Sequence, residues 1–174
     1  MKKTTVGAEK IVNSEKSEKF VALLRGINVG GHIVPMAVLK KTLASIGCGN
    51  VQTILASENI VFEKQSDDSA SLADRIEKTL TNEFGFPIPV LLRHGSHIAK
   101  LVQSEPFKEI TVTPKTRLYV TFLGVMPKKN IVPKLPSKDY QILRVIDGAV
   151  CSVVRLSQNA GTLDYMATIE KELW

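Results

Sequence analysis

Residues 20–36 read FVALLRGINVGGHIVPM, and this stretch decides how the rest of the chain is parsed. The run 20–24 is short, apolar and closed by Arg25 and Gly26, the pattern of a buried strand. A glycine-rich loop occupies 26–34, and Pro35 stands where a helix begins, because its ring presets φ and its missing N–H costs nothing in a first turn. Met36, Leu39, Leu43 and Ile46 then recur at spacings of three and four, and Gly47 ends the helix.

Outward from this β-loop-α unit, residues 51–55 and 60–62 are two β-rich runs with Ser57, Glu58 and Asn59 between them, which predicts a short hairpin. A second amphipathic helix follows, capped by Asp68 or Ser69, striped by Leu72, Ile76 and Leu80, and stopped by Gly85 and Pro87. Residues 88–92 make a fourth strand. The order β-α-β-β-α-β is that of the split β-α-β, or ferredoxin-like, unit, so residues 20–93 read as a first ferredoxin-like domain. Residues 94–115 read as a connecting helix (95–103) and linker.

The pattern then restarts. Residues 116–123 form a strand, and Pro127, Pro133 and Pro136 keep the next stretch irregular. Runs 140–146 and 149–156 flank Asp147-Gly148, a strong hairpin signal, and Leu163, Met166, Ile169 and Leu173 stripe a closing helix. The fold class expected is therefore α+β: two ferredoxin-like (split β-α-β) halves, with residues 116–174 a second, incomplete domain lacking its last strand. That absence leaves 116–123 as an exposed edge, to be covered by the N-terminal tail or by another copy in a homodimer. Residues 1–19, with only Val6, Ala8, Ile11 and Val12 as apolar content, read as a flexible tail.

Composition agrees with an ordinary globular chain: of 174 residues, 44% are hydrophobic and 23% charged, with Gly 11 and Pro 8, which excludes collagenous and wholly disordered classes. The net charge of +6 is unevenly spread: residues 1–85 hold 11 basic and 10 acidic groups, and residues 86–174 hold 12 and 7. Such an excess favours anionic partners without amounting to a nucleic-acid-binding arm. Cys48 and Cys151 have no second cysteine nearby, which suits a reducing compartment and excludes a zinc site built from cysteine pairs. No signal peptide and no span long and apolar enough for a bilayer is evident, so the expected location is cytoplasmic, with no membrane partner.

The segment Leu23-Leu24-Arg25-Gly26-Ile27-Asn28-Val29-Gly30-Gly31, followed by Pro35-Met36, resembles the opening signature of a bacterial family, domain-of-unknown-function family 1697. Ala56-Ser57-Glu58-Asn59 before Ile60-Val61-Phe62 is similar to the family's hairpin turn, which usually has Gln at the first of these positions and Gly at the third. Pro106-Phe107 and the helix through Glu170-Lys171 extend the resemblance over about residues 20–174. It implies a bacterial, cytosolic α+β protein of two ferredoxin-like halves whose members usually carry one more strand past the last helix. It implies no activity.

For chemistry, the loop 25–31 is the leading feature. Gly26, Gly30 and Gly31 can take positive φ and so bring bare N–H groups close to an anion, the loop leads into a helix start, and Arg25 can add a charged fork. The spacing G-x-x-x-G-G is neither a Walker loop nor the dinucleotide fingerprint. The same glycines also serve a plain turn capped by Asn28. In a split β-α-β sheet the start of the third strand lies near the end of the first, which brings Ser57 and Asn59 toward Arg25 and Asn28. The expected ligand-binding residues are thus Arg25, Gly26, Asn28, Gly30, Gly31, Ser57 and Asn59, for a phosphorylated or nucleotide-like anion.

Two other readings compete: a small enzyme with His32 as base beside Arg25, and a non-catalytic oligomeric or interaction protein using the exposed edge. His94 and His97 have H-x-x-H spacing but no nearby third ligand, so neither metal nor cofactor is expected. The basic run Lys108, Lys115, Arg117, Lys128, Lys129, Lys134 and Lys138, interleaved with Tyr119 and Phe122, supports nucleic acid only weakly, because the two rings alternate to opposite faces of one strand and no RNA-recognition signature is present.

Overall fold

The structure, a computed structural model, describes residues 17–54, 59–65, 68–125 and 139–156. The elements are β1 (Ser17–Leu24), α1 (Met36–Ser45), β2 (Gly49–Ile54), β3 (Asn59–Gln65), α2 (Ser69–Phe84), β4 (Val90–His94), α3 (Gly95–Gln103), β5 (Thr116–Phe122), β6 (Tyr140–Ile146) and β7 (Ala149–Arg155). They form two compact units, Met1–Leu92 and Arg93–Trp174. The molecule is of mixed α+β class, with a four-stranded and a three-stranded sheet, and β1 pairs antiparallel with β3, as β7 does with both β5 and β6. The predicted closing helix over 162–174 lies outside the described residues, as do most of the expected tail and the segment 126–138.

In the first unit the strand order is β2-β3-β1-β4. Alternation along β1 buries Phe20, Ala22 and Leu24, while Ile60 and Phe62 do the same on β3. The antiparallel register sets Phe20 opposite Phe62 and Ala22 opposite Ile60, so the two rings stack with centroids 5.7 Å apart. Leu39 and Leu43 of α1 and Leu72, Ile76 and Leu80 of α2 close over this same face. Each fully buried side chain of this size contributes about 1.5–3 kcal/mol, so this cluster is what holds the sheet and helices together.

The helix ends follow from local chemistry. Asp68 caps α2 by accepting from the Ser71 N–H at 2.9 Å, and Gly85, left-handed at φ 78, ends it. Lys64 donates from Nζ to the Ile46 carbonyl at 2.9 Å and so satisfies the C-terminal end of α1. Strands run longer than the sequence predicts, and β2 begins two residues early, at Gly49. β1 reaches back to Ser17 and β3 forward to Gln65, because their polar ends pair in register and Lys19 meets Glu63 in an ion pair at 3.9 Å.

In the second unit the strand order is β5-β7-β6. β7 is central and buried from Ala149 to Val154, which is why it reads as a continuous apolar run. Asp147 and Gly148, at φ 45 and 73, make the β6–β7 turn with both central residues left-handed, the geometry that matches strand twist. A bulge between Ile142 and Arg144 turns Val145 to the face already occupied by Tyr140 and Ile142, where Leu123, Val150 and Val154 join them. α3, expected as a connection, packs Leu101 against Ala149 and Cys151, with Phe107 and Phe122 beside them.

Candidate functional site

At the end of β1 the chain enters a loop with four residues at positive φ: Gly26 at 76, Asn28 at 56, Gly30 at 59 and Gly31 at 88. A Cβ built at Gly26, Gly30 or Gly31 meets nothing within 4 Å, so glycine is needed there for its backbone angle and not for space. Asn28 tolerates the left-handed region better than most residues, and its side chain uses the position. Its Oδ1 accepts from the Val34 N–H at 3.1 Å, while its own N–H donates to the His32 carbonyl at 2.7 Å. The His32 N–H donates to Val29 O and the Ile33 N–H to Gly31 O, both at 3.0 Å, which closes a tight turn through Gly30 and Gly31.

The Val29, Gly31 and His32 carbonyls accept within the loop, whereas the three consecutive N–H groups of Val29, Gly30 and Gly31 donate to none of the described residues, on an exposed stretch of chain. Ile27, fully buried in the first core, anchors the loop, and the Arg25 N–H is tied to the Pro89 carbonyl at 3.1 Å. The Arg25 side chain is exposed. Beyond the loop, α1 starts after Pro35 with no side-chain cap and no acidic residue in its first turn, so its leading N–H groups and the positive end of its dipole are open to an anion.

Asn59 stands opposite Leu23 in the β1–β3 register, two residues from Arg25 along β1, so the end of β1 and the start of β3 share one end of the sheet. Ser57 and Glu58 lie outside the described residues. His32 is exposed and its ring stacks on Phe86, with centroids 4.3 Å apart and planes 11° from parallel. Sequence reasoning missed this pair. Phe86 is 54 residues from His32 and was legible only as part of the Gly85-Phe86-Pro87 helix stop; its one signal was an aromatic residue in a turn that polar residues usually fill.

His94 and His97 are brought together at the start of α3, with ring centroids 5.4 Å apart, and among the described residues no group of three or more His, Cys, Asp and Glu is placed to hold a metal. Burial pushes the Cys48 thiol up from its ordinary value, against the opposing pull of Lys64 and Arg75, and burial likewise raises Cys151, so both thiols are held in the protonated, unreactive form. Burial lowers Arg93. Its guanidinium lies 5.9 Å from the Phe122 ring centroid and donates to the Leu123 carbonyl. Lys108, Lys115 and Arg117 of the basic run are described, and Lys128, Lys129, Lys134 and Lys138 are not. Among the described residues no helix is long and apolar enough to cross a membrane.

Comparison with known proteins adds a family and a fold. The sequence model for the family described as "Protein of unknown function (DUF1697)" matches residues 18–150. Among solved structures, that of the conserved bacterial protein SP0830 from Streptococcus pneumoniae is similar at 19% identity and a TM-score of 0.63, over 82% of this chain and 79% of that one. At that identity the likeness is one of fold. No curated protein matches the chain.

Proposed function

The chain belongs to DUF1697, a family of proteins of unknown function, and from that premise we propose that it is a small binding module whose loop from Arg25 to Gly31 takes a phosphorylated or nucleotide-like anion. The observation that carries this reading is the run of three consecutive N–H groups, those of Val29, Gly30 and Gly31, that no described residue accepts, on an exposed loop. Consecutive unused N–H donors on the same loop as an exposed guanidinium are the kind of groups that complement phosphate oxygens. The uncapped start of α1 adds a favourable partial charge. Asn59 contributes from the start of β3, and Ser57 completes the set. His32 enters as a flat wall stacked on Phe86.

The same reading takes each unit as ferredoxin-like, on the element order β-α-β-β-α-β with strand order β2-β3-β1-β4 in the first, and on the order β5-β7-β6 among the described residues of the second. It places the protein in the cytoplasm on the strength of two free, buried thiols, which a reducing compartment preserves.

The test is a thermal-shift screen against inorganic phosphate, sugar phosphates, nucleotides and short oligonucleotides, with Arg25→Ala beside the natural protein throughout. A ligand present at a hundred times its Kd stabilises by about 2.7 kcal/mol, which is readily seen as a rise in Tm. The expected result is a stabiliser that Arg25→Ala loses. An equal response in the variant, or no stabiliser in any class, contradicts the proposal.

A further inference from the structure

β5 is an edge strand among the described residues, and which of its backbone groups face outward follows from two hydrogen bonds. The Leu123 N–H donates to Gly148 O and the Leu156 N–H donates to Lys115 O, each at 2.8 Å, so odd-numbered residues of this strand turn their polar groups toward β7. By alternation, Leu118, Val120 and Phe122 point both N–H and C=O away from the sheet. The Thr116 groups on that side are already used: its N–H donates to Thr113 O at 2.9 Å, and its carbonyl accepts from Arg117 at 3.0 Å.

The side chains along this edge are apolar and open: Leu118 is 37%, Tyr119 49% and Val120 38% exposed. Between residues 118 and 122 the sequence has neither proline, nor lysine, nor any charged residue to blunt the edge. Where β5 begins and β7 ends, a recess of about 440 Å³ is lined by Thr111, Thr113, Lys115 and Arg155, with Glu109 as its one carboxylate among the described residues. The recess is held in shape by the Thr116 hydroxyl, 2.9 Å from that of Thr113, which also accepts from the Thr113 N–H at 3.1 Å. Residues 110–125 carry Lys115 and Arg117 and no acidic residue.

We propose that the outer edge of β5 receives an extended acidic peptide of another protein as an added antiparallel strand, with the peptide's terminal carboxylate in the recess beside Lys115 and Arg155. Antiparallel addition places the peptide's C-terminus at the start of β5, where the recess lies. Apolar side chains at alternate peptide positions rest beside Leu118 and Val120 on one face, and acidic ones run past Arg117 and Tyr119 on the other. Charge selects this occupant over a second copy of the chain, whose net charge is +6 and whose own β5 brings Lys115 and Arg117 to the same edge.

The experiment is fluorescence anisotropy on the full chain with a labelled eight-residue peptide alternating Glu and Val and ending in a free carboxylate. Three relatives accompany it: the C-terminal amide, a version N-methylated at alternate residues, and a version with Lys for Glu. Saturable binding that weakens with salt, and falls about tenfold or more on N-methylation, is expected. Amidation and Lys115→Glu each weaken it less, and Val120→Pro, which removes an outward donor without touching β7, abolishes it. The N-methylated peptide keeps the test decisive even if Val120→Pro fails to fold. Equal binding of the Lys peptide or of the N-methylated one, absence of binding, or hydrogen-exchange protection of the Leu118 and Val120 amides in the free chain would each overturn the proposal. So would concentration-dependent self-association that Val120→Pro removes, since it would assign the edge to a second copy.

Discussion

The loop after β1 and the outer edge of β5 both leave backbone groups unused by the described residues, and they differ in which groups those are. In the loop, with left-handed angles at Asn28, Gly30 and Gly31, the unused groups include three consecutive donors, at Val29, Gly30 and Gly31. Along β5 the extended chain turns N–H and C=O outward together at Leu118, Val120 and Phe122. A run of consecutive free donors suits an anion; donors and acceptors in regular alternation along an extended edge suit another strand. The backbone conformation at a few residues therefore sets the ligand class that each place can take.

The hardest way to break this comparison is to detach the loop from its anchor. Ile27→Ala empties a fully buried site and is expected to cost about 2–5 kcal/mol in urea unfolding, taking the phosphate response with it. A small loss would mean that the loop is not fastened to the core. Asn28→Ala comes next, at about 1–2 kcal/mol, because it removes the acceptor for Val34 and puts a Cβ-bearing residue without that bond in the left-handed region. Asn28→Gly keeps the backbone angle and loses only the bond, so the difference between the two variants, read by the same unfolding measurement, isolates the conformational part.

Arg25→Ala sharpens the comparison from the other side. Its side chain is exposed, so stability is expected to change by no more than about 0.5 kcal/mol while the phosphate-dependent shift in Tm disappears. The smallest expected effect is on pH. Burial raises the Cys48 thiol, so the stability it contributes is complete below the ordinary thiol pKa of about 8.5 and is lost as pH rises from there through the raised folded value. Unfolding measured from pH 7 to 10 should show this decline, and Cys48→Ala should reduce it, leaving the share that Cys151 contributes with the same sign.

Much of this was legible in one sequence because it rests on local chemistry. The strands at Phe20 and Ile60, the stripe Leu72, Ile76 and Leu80, the cap at Asp68, the stops at Gly47 and Gly85 and the Asp147-Gly148 turn each follow from residue type and spacing, and the structure places them there. The positive φ of Gly26, Gly30 and Gly31 was equally readable. Three features were not. The polar end of β3, Glu63 to Gln65, lacks an apolar signal and is strand only because β1 pairs with it. The His32–Phe86 stack joins residues far apart in the chain. The threonine recess at the start of β5 depends on hydroxyl bonds among Thr111, Thr113 and Thr116 that no periodicity announces; Thr-Val-Thr-Pro was the one hint of a turn there.

The most direct measurement is a phosphate titration of the 15N-labelled protein followed through its backbone amide shifts. The account predicts that the Val29, Gly30 and Gly31 amides move together along one saturable curve, while those of Leu118, Val120 and Phe122 stay in place. Loop amides that stay fixed at saturating phosphate, or a saturable response confined to other residues, would contradict it.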